Sequence, residues 1–385
     1  MILSKIKFRK GEINLGLGLI FTGIFLIRAD AAAIRRIDGP DRYQTSLNVA
    51  DHHKSDMAIV VSGKDFPDAL SAISLASKHK ANIILVKPSS DVFEHRKFAA
   101  ELLNRKIKNV IIVGGENSVD RGYEAALLKF FQVERIEGSD RYDTSLKVVE
   151  RVGNKNLCIA DGRNFPDALS TSGLVAKTKT SLLLVDGRKK LEFLKDYRVL
   201  YTVGGKNSII NAYGKRIAGS NRYQTCNQIL SIIDPKNLLI ASGRDFPDAL
   251  SASSMASMID TGVLLCSARV DDNAIEQSAN RDNITVVGGT NSVSGLTINS
   301  IMDKYNYSYS ASNDVGFDTE SQTYRFSNAS IFKGWLYQAS RSPYGYDKFY
   351  YNEEGILERD KVVSGVKLDA DGKAILDDDG RPVIN

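Results

Sequence analysis

Cysteine is scarce: the chain of 385 residues has three, Cys158, Cys226 and Cys266. They are too few and too scattered for a disulfide framework, so they read as buried thiols acting as small hydrophobes. Histidine is almost as rare, and His52, His53, His79 and His95 all lie in the first of the three copies of a repeat set out below. A metal or catalytic site built on the repeat cannot use a side chain that two copies lack, and His52-His53 reads as a solvated helix end. Long apolar runs are also missing. The longest, Leu15–Ile27, falls short of the ~20 residues that a membrane span needs. Preceded by Lys5, Lys7, Arg9 and Lys10 and followed by small residues including Ala29 and Ala31, it reads as a secretory signal peptide over residues 1–31, cleaved near Ala31. The C-terminus, "DDDGRPVIN", carries no apolar tail with a basic stop, so any attachment to a surface is expected to be noncovalent. The net charge is only +5, mildly basic in the middle and acidic in the tail, which suits an anionic partner but is weak for a nucleic-acid binder.

What is present is a phrase written three times: "GKDFPDALSA" at 63–72, "GRNFPDALST" at 162–171 and "GRDFPDALSA" at 243–252. Each follows an "RY" pair, Arg42-Tyr43, Arg141-Tyr142 or Arg222-Tyr223, at constant spacing. Each precedes an apolar run ending at Leu85, Leu184 or Leu265, and then a "VGG" at Gly114, Gly204 or Gly288. Repeats on this scale define the architecture. Short apolar runs such as "MAIVVSG", "NIILVK" and "NVIIVGG" alternate with helical patterns, so the fold class is α/β with parallel sheets covered on both faces. The repeats span 32–134, 135–216 and 217–302, followed by a Ser-rich linker at 303–330 and a β-rich module at 331–385.

The phrase reads first as a helix start. Asp65, Asn164 and Asp245 are expected N-caps, proline fits the first turn, and Asp68, Asp167 and Asp248 sit three residues after the cap, as in a capping box. A Mg²⁺ site on these acids is disfavoured because copy two has Asn164 and no third acid recurs. Capping does not explain the basic residue. Lys64, Arg163 and Arg244 stand between a strand end and a helix start, the place where open α/β sheets bind ligands, so they are either contacts to an anion or solvated charges. Arg42, Arg141 and Arg222 are expected to pair with the acid 26 residues on and to be structural. The "VGGENS", "VGGKNS" and "VGGTNS" turns are neither G-x-G-x-x-G nor a P-loop, which leaves nucleotide binding unsupported. Ser118, Ser208 and Ser292 in these turns read as N-caps. No metal, cofactor or catalytic constellation is expected.

The triplicated RYxTS…FPDALS…VGGxNS order behind a signal peptide resembles the cell wall-binding repeat 2 family of Gram-positive surface proteins, over roughly residues 35–302. The resemblance implies three α/β modules around a pseudo-threefold axis and noncovalent attachment to an anionic, teichoic-acid-like secondary wall polymer, with other surface-layer (S-layer) proteins as further candidate partners. It implies a non-enzyme at the cell surface, without nucleic acid and without a membrane span after signal cleavage. It also points to an "ILL"-like strand as ligand-adjacent: Ile83, Ile84 and Leu85; Leu182, Leu183 and Leu184; Val263, Leu264 and Leu265. The proline usual before that strand is replaced here by Asn82, Ser181 and Gly262. Two other readings compete: a secreted metal-dependent hydrolase or phosphotransferase acting on wall polymers, and a glycan-binding adhesin using the tail. In that tail Trp335, Tyr337, Tyr346, Phe349 and Tyr351 alternate with turn signals Glu354-Gly355, Asp371-Gly372 and Asp379-Gly380. It is similar, over little more than one copy, to the aromatic hairpin repeats of choline- and glucan-binding surface proteins. "DADGKAILDDDG" lacks the EF-hand ligand order, so turns are favoured over Ca²⁺.

Overall fold

The computed structural model describes residues 33–53, 55–191, 194–256, 261–267, 271–305, 307–310, 315–318, 323–326, 334–339, 346–351, 357–363 and 366–375. The signal-peptide expectation and the turns at Glu354-Gly355 and Asp379-Gly380 lie outside them. The first repeat runs β1 (Ala33–Ile37), α1 (Arg42–Asp51), β2 (Met57–Ser62), α2 (Pro67–His79), β3 (Asn82–Val86), α3 (Val92–Asn104), β4 (Asn109–Val113) and α4 (Arg121–Leu127). The second follows as β5 (Gln132–Ile136), α5 (Arg141–Val152), β6 (Asn156–Asp161), α6 (Pro166–Leu169), α7 (Thr171–Thr178), β7 (Ser181–Val185) and β8 (Arg198–Val203). The third is β9 (Lys215–Ile217), α8 (Arg222–Ile233), β10 (Asn237–Ser242), α9 (Pro247–Ala256), β11 (Thr261–Cys266), α10 (Asp272–Gln277), β12 (Asn283–Val287) and α11 (Gly295–Tyr305).

These elements form three parallel α/β modules. The strand orders are β3-β2-β4-β5, β7-β6-β8-β9 and β11-β10-β12-β1, the last extended by β13 (Ser308–Ser310). The last strand of each sheet opens the next repeat. β5 lies beside β4, β9 beside β8, and β1 returns from the start of the chain to pair with β12, Ala33 opposite Asn283 and Ile37 opposite Val287. The first repeat therefore closes the third one's sheet. A repeat period fixes how long a unit is, not where one sheet hands over to the next.

Side chains on β3 and β7 alternate between two cores, whereas Val263, Leu264 and Leu265 of β11 all enter the one shared by the three modules. Ile83, Leu85, Leu182 and Leu184 enter a core shared by all three modules, whereas Ile84 and Leu183 enter the outer layers of their own modules. These strands are sheet edges, whose outward N–H groups need partners. The helices supply them. Ser46 Oγ accepts from Leu85 N at 3.0 Å and Ser145 Oγ from Leu184 N at 2.9 Å. From neighbouring modules, Ser74 Oγ accepts from Leu182 N at 2.8 Å and Ser254 Oγ from Ile83 N at 2.9 Å. The "RYxTS" serines thus tie each edge strand to the first helix of its own repeat, and Ser74 and Ser254 of the FPDAL helices stitch module to module. Cys226 stands where the other copies have Ser46 and Ser145, and its thiol donates to Val263 O at 3.1 Å, a specific bond beyond its packing as a small hydrophobe.

The tail contributes antiparallel hairpins: β14 (Val315–Asp318) with β15 (Thr323–Phe326), β16 (Gly334–Ala339) with β17 (Tyr346–Tyr351), and β18 (Val362–Val363) with β19 (Val366–Lys367). Register sets Trp335 opposite Tyr350 and Tyr337 opposite Lys348. At Asp371-Gly372, Asp369 Oδ1 accepts from Asp371 N and Lys373 N at 2.9 and 2.8 Å, and Gly372 has φ +81°. The Asp-Gly signal there makes a side-chain-capped turn.

Candidate ligand-binding face at the strand carboxyl ends

In the order β3-β2-β4-β5 the chain reverses its direction of travel between β2 and β4. That topological switch point opens a crevice beyond the strand carboxyl ends. Its walls are the loop of the repeated phrase and the VGG turn. The third-repeat crevice has a volume of about 880 Å³ and is bounded by Arg244, Asp248, Asn291 and, from the first repeat, Asp38 and Arg42.

The glycines that shape it have steric reasons. A Cβ on Gly63, Gly162 or Gly243 would lie 2.6, 2.9 or 2.6 Å from the ring of Tyr43, Tyr142 or Tyr223, so each "RY" tyrosine covers the glycine of its own phrase. Gly114, Gly204 and Gly288 have φ of +112°, +127° and +105°, and a Cβ there would meet Asp68, Asp167 or Asp248 at 2.3, 3.0 or 2.2 Å. This contact fixes the spacing from FPDAL to VGG in space, whatever the length of chain between them.

The structure corrects the expected role of the acids. The N-caps of α2 and α6 are Phe66 and Phe165, with no side-chain cap; Asp65 and Asn164 accept only from the next residue's N–H. Asp68 and Asp248 hydrogen-bond Ser118 and Ser292, and Asp167 bonds Thr225 and Ser208. Burial raises the pKa of all three carboxyls, against the lowering effect of those hydroxyls. Ser118 and Ser292 are not N-caps: α4 and α11 open three residues later, Asp120 caps α4 and Ser294 accepts from Leu296 N in α11, while among the described residues no helix follows Ser208 until Arg222. The "RY" helices open at the arginine itself, capped by Asp41, Asp140 and Asn221, one residue before the arginine.

Arg42, Arg141 and Arg222 do not pair with the acid of their own repeat. Each donates to the carbonyl of its own phrase glycine, Gly63, Gly162 or Gly243, at 3.0, 2.9 and 2.7 Å. Each then stacks on a phenylalanine of the preceding repeat in the ring: Arg42 over Phe246, Arg141 over Phe66, Arg222 over Phe165, at 5.4, 5.5 and 5.4 Å. Arg42 and Arg141 also lie 3.6 and 3.8 Å from Asp245 and Asp65. Phe66, Phe165 and Phe246 meet one another edge to face at 5.6 to 5.9 Å. The fixed spacing therefore reflects a ring of inter-repeat cation–π contacts around a three-phenylalanine hub.

A second arginine set escaped the sequence reading. Arg36, Arg135 and Arg216 precede the "RY" arginines by six residues in an R-I-x-G pattern that could have revealed them. Each reaches from the hand-over strand to the preceding module's turn: Arg36 to Gly288 O and Val293 O at 2.5 and 2.8 Å, Arg135 to Gly114 O and Val119 O at 2.8 and 3.1 Å, and Arg216 to Gly204 O and Ile209 O at 2.6 and 2.8 Å.

The phrase cations all follow the carboxyl end of a strand, and Arg244 lines the third-repeat crevice, but they are not equivalent. Lys64 and Arg244 are exposed; the Arg244 side chain donates to a carbonyl, Asn291 O, at 2.9 Å. Arg163 is half-buried and held by the carboxylate of Asp161 through contacts of 2.6 to 3.1 Å, and by Ser208 O at 2.7 Å. Ser62 and Ser242 occupy the positions equivalent to Asp161. Arg163 is thus neutralised within its own loop and braces the fold there. The ILL-like strands are core: each of their nine residues is at most 1% exposed, so none of them presents a side chain to a ligand in this structure. Among the described residues no group of three or more Asp, Glu, His or Cys is placed to hold a metal.

Known proteins share this architecture. Cwp8 from Clostridium difficile superposes with a TM-score of 0.61 at 24% identity, covering 71% of this chain and 52% of its own. Cwp6 from the same organism gives 0.59 at 20%, covering 67% and 46%. The N-acetylmuramoyl-L-alanine amidase LytC of Bacillus subtilis (strain 168) is 26% identical over 309 residues, 74% of this chain and 62% of the amidase. An amidase enhancer of the same strain is 26% identical over 307 residues, 74% of this chain and 42% of the enhancer. The chain therefore spans less than two thirds of either curated relative. The family model for cell wall binding domain 2 matches residues 36–124, 135–213 and 216–298, well over half the chain, and this protein belongs to that family.

Proposed function

We propose that this chain is an exported, non-enzymatic surface protein that attaches noncovalently to an anionic polysaccharide of the cell wall. The observation that carries the reading is the match of all three segments to a cell wall binding domain. Exposed Lys64 and Arg244 at the strand-end crevices add support, as cations at a ligand-binding position. Three linked modules on one polymer give avidity beyond any single contact. The amidase named among the relatives is longer than the matched region, and its activity is not carried over. The test is sedimentation of the full chain with purified walls, intact or chemically stripped of their anionic polymer. Binding is expected on intact walls, to weaken with salt and to vanish on stripped walls. Equal binding to both overturns the reading.

A further inference from the structure

Eight large apolar side chains are exposed among the described residues, and five of them, Val92, Phe93, Leu103, Leu128 and Phe130, belong to the outer helices of the first repeat. Phe93 is 69% exposed and Phe130 58%. Along α3 the exposed residues Phe93, Lys97, Ala100 and Leu103 recur at helical spacing and form one face. α3 and α4 pack through Phe98 and Tyr123, whose rings meet edge to face at 5.6 Å. Both helices lead into strand amino ends, those of β4 and β5, so Leu128 and Phe130 lie at the same pole as Leu103. The fold does not demand this face: in the place of α3 the second repeat has the single turn Leu194–Asp196 and the third the six-residue α10. Its charge is one-sided. Glu94, Glu101 and Glu124 are held by Lys87, Arg105 and Arg121 at 3.0, 2.6 and 2.9 Å. Arg96, Lys97 and Lys129 are exposed, and among the described residues no carboxylate lies within ion-pair distance of them. An apolar patch rimmed by unpaired cations fits a partner that is both acidic and apolar.

The chain carries such a partner in its own tail. Residues 375–379 read "ILDDD", two apolar residues followed by three acids. Ile375 is 36% exposed, and the residues after it lie outside the described ones. Phe93 and Ile375 are exposed in the same molecule, so Ile375 is not seated on the α3 of its own copy. We propose that this face docks residues 375–379 of a second copy of the chain. Ile375 and Leu376 pack at the end formed by Leu103, Leu128 and Phe130, and Asp377, Asp378 and Asp379 run toward Lys97 and Arg96. The lengths agree: Leu103 lies six residues beyond Lys97, roughly 9 Å along the helix, and an extended chain crosses that distance in about three residues. A face on one copy and a segment on the next make a heterologous contact, which joins copies head to tail in an open row. The contact is small, so the complex is weak in dilute solution. This inference goes beyond wall attachment and does not depend on it.

Sedimentation velocity of the full chain over a concentration series tests it. Wild type should grow from monomer through dimer to larger species, and less so in high salt. The face variant Phe93→Ser, Lys97→Glu and the tail variant Asp377→Asn, Asp378→Asn, Asp379→Asn should each need at least about tenfold more protein to associate, as expected when an interface loses its anchor or its charges. The face variant should keep the wild-type melting temperature, because both side chains are exposed. Mixed in equal amounts, the two variants should form a dimer that grows no further, because only one intact face and one intact segment are left to meet. Wild type that stays monomeric at every concentration, a variant that associates like wild type, or a mixture that stays monomeric overturns the proposal. Binding of wild type to phosphatidylglycerol vesicles that the face variant loses, with no mixed dimer, assigns the face to a lipid surface and likewise overturns it.

Discussion

Ser46→Ala isolates the stitching of sheet edges by helix serines. Ser46 is fully buried and its hydroxyl is used twice, donating to Tyr43 O at 2.8 Å and accepting from Leu85 N at 3.0 Å. Alanine leaves Tyr43 O with its helical partner but strands the Leu85 N–H at a position 1% exposed, where no water can replace the bond. An orphaned buried donor costs about 1–3 kcal/mol. For a protein of this size that corresponds to roughly 1–2 °C of melting temperature per kcal/mol. Urea unfolding of the full chain should show the midpoint fall at constant slope. Ser46→Cys should lose less, because the third repeat already carries Cys226 at this position. Ser254→Ala should cost about as much as Ser46→Ala, since it orphans Ile83 N–H on the same strand from another repeat. If Ser46→Ala unfolds with wild type, the edge of β3 does not depend on this hydroxyl and the account of the "RYxTS" serine is wrong.

Arg141→Lys should destabilise by about 1–2 kcal/mol, because an ammonium cannot both hold Gly162 O and stack on Phe66; an unchanged urea midpoint would refute the use of the planar fork. Arg163→Glu should lower the melting temperature by setting a like charge against Asp161, whereas Lys64→Glu should leave it unchanged and only weaken wall binding; equal thermal behaviour would contradict the asymmetry between these loops. Asp68, Asp167 and Asp248 are raised above their ordinary value of 3.8, chiefly by burial. Their folded forms hold protons more tightly than the unfolded chain, so the stability they contribute is complete below that value and is lost as pH rises through the folded-state values. Replacing all three by asparagine should flatten that part of the stability–pH curve relative to wild type, and superimposable curves would dispose of the linkage.

Much of this protein is written locally. The alternation of short apolar runs with helical spacing determined parallel α/β modules, because strands covered on both faces need continuous hydrophobicity. Three copies of one ordered motif set determined three such modules. Position was legible too: Lys64, Arg163 and Arg244 do lie at the strand carboxyl ends, since a strand-loop-helix signal is contiguous in the chain. Partners were not. Local spacing suggested that Asp68 caps its own helix and that Arg42 pairs with the acid 26 residues later, yet Asp68 bonds the Ser118 hydroxyl in the VGG turn and Arg42 spans to Phe246 of another repeat. Nothing in the linear order says that β1 completes the third sheet or that Arg36 reaches the VGG turn of the third repeat. Those facts arise only when the ring closes, because closure brings together groups separated by up to about 250 residues whose contact no local propensity encodes.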